Sequence, residues 1–247
     1  MAIDAQKIYI NGKRYYLLGN KKFPSVTTII SETMPVSKRC ALSNWRKSLG
    51  SDRAKIQQDI KDRGTNFHKI LELILMDETD LANKELVKHP EVKDFLFSGK
   101  KLISQIMLGV PVLSETQVFS KKYQYAGTID LMGRYFSSPC TGITATGQGR
   151  EVLFDWKTSN KLKTKDSCED YLIQLAAYAN ALYETYGITV DSASVCIFYQ
   201  DTSPDVFKLG QSDIGVYFDK FLFRLAEFQS KKTLMSDDSF ASLCAHI

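Results

Sequence analysis

The chain opens on an alternating stretch, KIYINGKRYYLL (7–18), interrupted by Asn11-Gly12, a pair that supplies the positive φ of a tight hairpin turn. An N-terminal β-ribbon is expected there. Apolar positions then move to helical spacing. Ser37 to Leu49 reads as a short basic helix carrying Trp45, and Ser51 to Met76 as a longer one striped with Phe67, Leu71, Ile74 and Leu75. Glu91 to Met107 reads as another helix. From Pro111 the period becomes two. VLSETQVFSKKY, YAGTIDLMGRYF and REVLFDWKT predict three strands of an antiparallel meander, joined by a tight turn and then by a glycine-rich insertion, Ser137 to Gly149. Residues 169 to 186 return to helix, with Tyr171, Leu175, Tyr178 and Leu182 along one stripe. A strand at Ala193 to Tyr199, another around Val206 and a helix from Gln211 to about Lys231 complete the pattern.

The sum is an α/β fold, a mixed central sheet flanked by helices, with the ribbon and a helical elaboration ahead of it. A single domain is expected: residues 1–110 as ribbon and helices, 111–231 as the core, 232–247 as a tail. Of the 247 residues, 44% are hydrophobic and 24% charged, which is ordinary for a globular chain and excludes a disordered one. No apolar run approaches the roughly 18 residues that span a bilayer. Met1-Ala2-Ile3-Asp4 has neither a basic leader nor an arginine-rich presequence, so the expectation is an untargeted cytoplasmic protein.

Five cysteines, Cys40, Cys140, Cys168, Cys196 and Cys244, stand far apart with no C-x-x-C pair. That spacing favours free thiols over a disulfide framework, a zinc site or an iron–sulfur cluster. A net charge of +4 permits a polyanionic partner without requiring one.

The candidate chemistry lies in Gly127-Thr128-Ile129-Asp130 on one strand and Asp155-Trp156-Lys157 on the next. Alternation puts Asp155 and Lys157 on one face and Phe154 and Trp156 on the other. With Asp130 alongside, two carboxylates and an ammonium converge, an arrangement that calls for a cation; oxygen ligands suit Mg²⁺ or Mn²⁺. Such a site fits phosphodiester hydrolysis, with Lys157 beside the attacking water. The plain alternative is an ion pair on an exposed sheet face. Two further acidic-x-Lys triplets, Asp59-Ile60-Lys61 and Glu91-Val92-Lys93, fall in predicted helices and read as solvated surface charges. Glu115, on the preceding strand, is either a third carboxylate of the site or an exposed strand residue. Gln174 and Tyr178 put an amide and a phenol on an apolar stripe where leucine would pack better. For nucleic acid, Lys161, Lys163 and Lys165, the hydroxyls of Thr158 and Ser159, and Trp45 are the candidate contacts; a solvated loop, a turn cap and a core tryptophan are their alternatives.

RGTNFH (63–68), GTID (127–130), DWKTS (155–159) and QLAAY (174–178), in this order, resemble the RecB-like branch of the PD-(D/E)xK nuclease superfamily. FPSVTTIISETMP (23–35) and LSNWRKSLG (42–50) look like the opening of its mitochondrial genome maintenance exonuclease group, which has phage and bacterial relatives. The resemblance implies a metal-dependent nuclease that takes single-stranded DNA from free ends, including flaps. It implies that Asp130, Asp155, His68 and, less securely matched, Glu115 hold Mg²⁺ or Mn²⁺, that Lys157 serves the water, and that Gln174 and Tyr178 position the site or its phosphates. The four-cysteine iron–sulfur signature of some members of the branch is missing, so no cluster is expected. A bacterial or phage source is the expectation.

Overall fold

The computed structural model describes residues 5–136 and 150–244. The expected insertion, Ser137 to Gly149, lies outside them. The ribbon forms around Asn11 and Gly12, at φ 50° and 74°, which turn β1 (Gln6–Ile10) back along β2 (Lys13–Leu18). A third strand, β3 (Lys21–Pro24), was not expected; it pairs antiparallel with β2 and completes a small sheet. Phe119 meets the rings of Tyr16 and Phe23 edge-on, and Tyr16 hydrogen-bonds Thr128 at 2.8 Å, which fastens this sheet to the central one.

Ser25 then caps α1 (Val26–Glu32), its Oγ accepting from Thr28 N at 3.0 Å. Next come α2 (Val36–Ser48), α3 (Arg53–Leu75) and α4 (Thr79–Lys88). The first and last of these four helices escaped the sequence reading, because each is short and its stripe incomplete. The helix expected over Glu91 to Met107 is instead α5 (Lys93–Ser98) and α6 (Lys100–Ile103), divided at Gly99. A Cβ at Gly99 would stand 2.2 Å from the Phe198 ring, so the chain turns where only glycine lets that ring approach. The strand that follows, β4 (Ile106–Ser120), starts before Pro111 rather than at it, and its register shifts between Leu108 and Leu113, around a residue with no N–H to give.

β5 (Tyr125–Tyr135), β6 (Arg150–Thr158), α7 (Glu169–Tyr186), β7 (Ser192–Phe198), β8 (Asp205–Gly210) and α8 (Gln211–Cys244) complete the fold. α8 runs on past Lys231, so much of the segment expected as a tail is helix. The central sheet has the order β4-β5-β6-β7-β8, antiparallel except for the parallel pair β6–β7. It is the mixed sheet the pattern predicted. Leu153, Val195 and Ile197 pack toward Leu172, Leu175 and Phe221 of α7 and α8; Phe154, Trp156 and Phe198 pack on the other face against Phe67, Ile70 and Leu71 of α3. Burial on both faces leaves the strand edges and ends as places for polar chemistry.

Gly127 is the tightest contact near the site, since a Cβ there would lie 2.2 Å from Cε1 of the buried Tyr178. Gly127→Ala must push that ring from its place, and a loss of about 1–3 kcal/mol is expected, as for other overpacked interiors. Urea unfolding of the variant beside the wild type measures it; an unchanged midpoint would mean the ring moves freely.

Candidate active site

β5 and β6 pair from Tyr135–Arg150 down to Leu131–Phe154 and then separate. The separation leaves one edge of the Trp156 peptide without a strand partner, and two side chains take its place. Trp156 N–H donates to Asp130 Oδ2 at 2.7 Å, and the Trp156 carbonyl accepts from His68 Nε2 at 2.8 Å. The Trp156 ring stacks on Phe154, centroids 5.0 Å apart, and anchors that backbone in the α3-side core. A carbonyl only accepts, so Nε2 carries the His68 proton and Nδ1 is the free nitrogen.

Nδ1 faces Asp130 Oδ2 at 3.6 Å and Glu115 Oε1 at 3.7 Å. Glu115 reaches this point from β4, where the pairs Ser114–Leu131 and Thr116–Ile129 set it opposite Asp130. Its backbone is left-handed, φ 46°, an unfavourable state for a side chain with a Cβ and one met most often where function holds it. Ligand atoms of His68, Glu115 and Asp130 lie within 4.8 Å of one another. Three lone-pair donors aimed together repel unless a proton or a cation stands between them. Burial lowers the affinity of His68 for a proton, yet Asp130 and Glu115 outweigh it and hold the imidazole above its usual range. One neutral nitrogen and two carboxylates match the donor preferences of a divalent cation such as Mn²⁺ or Mg²⁺, so these residues fit the expected metal.

Asp155 lies behind this group, 1% exposed. Its Oδ1 accepts from Gln174 Nε2 at 2.7 Å, and its Oδ2 forms an ion pair with Lys157 Nζ at 2.5 Å. Burial raises the Asp155 carboxyl, the Lys157 ammonium opposes that, and Asp130 adds to it. Burial likewise works against the Lys157 charge, but Asp155 and Asp130 prevail and keep the ammonium above its ordinary range. Lys157 also lies 5.4 Å from the ring centroid of Tyr171.

His68, Glu115, Asp130, Lys157, Gln174 and Tyr178 therefore border one cleft of about 800 Å³, with Asp155 beneath it. The other expected contacts, Thr158, Ser159, Lys161, Lys163, Lys165 and Trp45, do not. Thr158 accepts from Arg63 Nε at 3.3 Å, Lys161 is exposed in the loop beyond β6, and Trp45 stands 38% exposed on α2, a helix with no buried residue. Trp45 is therefore no core residue. Conversely Lys61, expected as a mere surface charge, borders the cleft, as do Lys7, Arg14 and Tyr171. Lys61 lies one residue before Asp62 and two turns of α3 ahead of His68, a spacing that could have flagged it. Nothing in the ribbon's alternation pointed to Lys7 or Arg14.

No protein-family profile matches the chain. It is similar to mitochondrial genome maintenance exonuclease 1 of Xenopus tropicalis, 29% identical over 225 residues that cover 87% of this chain and 60% of that protein. The mouse (Mus musculus) and human (Homo sapiens) proteins of the same name are each 28% identical, with 89% and 85% of this chain covered and 62% and 59% of theirs. The chain spans about three fifths of the length of these relatives. The resemblance seen in the motifs thus extends over most of the chain. The expected bacterial or phage cytoplasmic setting is overturned, because these relatives are vertebrate proteins named for mitochondria.

Calorimetric titration with Mn²⁺ in the absence of nucleic acid tests the three-ligand group. Binding to the wild type and a loss of roughly tenfold or more in Asp130→Asn and in His68→Ala are expected, since each removes a donor. Equal affinity in all three proteins would place the cation elsewhere.

Proposed function

We propose that this chain is a deoxyribonuclease of the RecB-like PD-(D/E)xK type, an exonuclease that uses Mg²⁺ or Mn²⁺ to hydrolyse single-stranded DNA from free ends, flaps included. The observation that carries this reading is the convergence of His68, Glu115 and Asp130 beside the Asp155–Lys157 pair. The similarity to proteins named as exonucleases supports it.

A divalent cation held by His68, Glu115 and Asp130, with Asp155 joining them as the resemblance implies, would polarise the scissile phosphate and acidify a water. The chain's own residues do the rest. Trp156 fixes the Asp130 oxygen and, through Nε2, turns the His68 lone pair toward the cleft. Lys157, kept charged by its carboxylate neighbours, offers an N–H to the attacking water or to a non-bridging oxygen, where negative charge builds in the transition state. Gln174 holds Asp155 from the far side and so fixes the ammonium as well. Lys7, Arg14 and Lys61 border the cleft and form no ion pair with any carboxylate among the described residues, which leaves their charges for phosphates. No covalent intermediate is needed, and Cys168 and Cys196 are buried.

End-labelled linear and circular single-stranded DNA, incubated with Mg²⁺, Mn²⁺ or EDTA, provide the test. Linear strands should disappear only with metal, circles should persist, and Lys157→Ala should lower the rate by at least about a hundredfold. Loss of circles too would make the enzyme an endonuclease, and preference for linear duplex would make it a duplex exonuclease. Binding without cleavage of any substrate would leave a non-catalytic DNA-binding module.

A further inference from the structure

The N-terminal sheet lends Lys7 and Arg14 to the border of the cleft. Lys7 pairs with Tyr16 and Tyr9 with Arg14 across β1 and β2. Directly opposed residues of an antiparallel pair share a face, and so do residues two apart, so Lys7, Tyr9, Arg14 and Tyr16 share one face, Tyr16 buried against Phe119 at its inner end and Tyr9 exposed at its outer. Arg14 and Thr27 border the active-site cleft and also a second groove of about 480 Å³ that contains Tyr9 and the Asn11-Gly12 turn. The two depressions are therefore neighbours, with Arg14 and Thr27 in the wall of each.

Arg14 is built into this position. Its backbone N–H donates to Thr28 Oγ1 at 3.1 Å, its carbonyl accepts from Ser25 N and Thr28 Oγ1, both at 3.0 Å, and its Nη2 donates to Thr27 Oγ1 at 3.0 Å. The guanidinium is charged, yet a threonine hydroxyl is its side-chain partner, and its buried Nε has no hydrogen bond. A planar fork with donors to spare next to a nuclease cleft fits a phosphate. Glu32, the acid of the second groove, is already neutralised by Lys13 at 2.6 Å. Tyr9 is 68% exposed. A lone exposed tyrosine is ordinary, but this one lies straight across the strand from Arg14, as a base lies beside its own phosphate. The Tyr16–Thr128 hydrogen bond ties the surface to β5 two residues before Asp130.

We infer that the N-terminal sheet is a strand-holding platform, on which Arg14 takes a backbone phosphate and Tyr9 stacks on a base of the single strand whose end lies in the cleft. This rests on the nuclease reading. It adds that affinity for long strands comes from outside the catalytic centre and that the first strands of the chain supply it.

Two measurements separate the two ideas. In the first, KM and kcat are measured with metal on oligothymidylates of about 4 and about 20 nucleotides, lengths below and above a typical single-strand site. The wild type should favour the long strand. Tyr9→Ala and Arg14→Gln should each raise its KM roughly tenfold, as loss of one stacked base or one phosphate contact does, and Tyr9→Phe should restore the wild-type KM. In the second, Tyr9→Trp is titrated with the long oligothymidylate in EDTA, where its indole emission should be quenched beyond the change seen in the wild type. An active wild type whose length preference survives both substitutions overturns the platform and leaves the nuclease standing. An inactive wild type overturns the nuclease reading, and the quenching in EDTA still decides the platform: its absence refutes it.

Discussion

The candidate centre depends on the parting of β5 from β6 below Leu131–Phe154. A continuous ladder would use the Trp156 N–H and carbonyl for strand pairing, and both face the side that β5 vacates. Leaving buried main-chain groups unpaired costs on the order of 1–3 kcal/mol each. Asp130 and His68 answer that cost by bonding the same residue from two different elements. Asp130 and His68 are thus each held by a main-chain need of the fold. The stacked Phe154 and Trp156 rings, buried against α3, keep the vacated edge from moving.

Around that edge opposite charges face one another. Three carboxylates, Glu115, Asp130 and Asp155, stand close to one ammonium and one imidazole. Lys157 neutralises Asp155, the most buried of the three, and the imidazole faces the other two. The remaining negative charge is concentrated at the cleft wall, where a divalent cation is the natural complement. Lys7, Arg14 and Lys61 stand at the border of the same cleft. Acid at the centre and base around it is the charge order that a phosphodiester substrate asks for.

What could be read from the sequence followed from period. Alternation in FDWK separated Asp155 and Lys157 from Phe154 and Trp156, and the structure puts these pairs on opposite faces, the first toward α7 and the second in the α3-side core. Gln174 and Tyr178 stood out as polar groups on an apolar stripe, and one bonds Asp155 while the other fills the space above Gly127. What could not be read followed from tertiary geometry. The left-handed backbone of Glu115 and the parting of two strands leave no trace in a hydropathy pattern. Lys61 looked like any helix lysine, because its neighbour across the cleft is on another element. The region from Glu91 to Met107 misled for a different reason, since a short apolar run fits helix and strand alike and Gly99 decides between them only through its contact with Phe198.

Gly127, Asp130, Asp155, Lys157, Gln174 and Tyr178 can now be understood together. Tyr178 lies flat against Gly127, three residues before Asp130 on the same strand, and Gln174, one turn earlier on α7, reaches Asp155 on the next strand. α7 therefore touches both strands at the point where they separate, and the missing Cβ of Gly127 sets how closely it can lie. A larger residue at position 127 would lift α7, lengthen the Gln174–Asp155 hydrogen bond and loosen the ammonium that Asp155 holds. The glycine bears no charge itself, yet the position of Lys157 depends on it through a ring, a helix, an amide and a carboxylate.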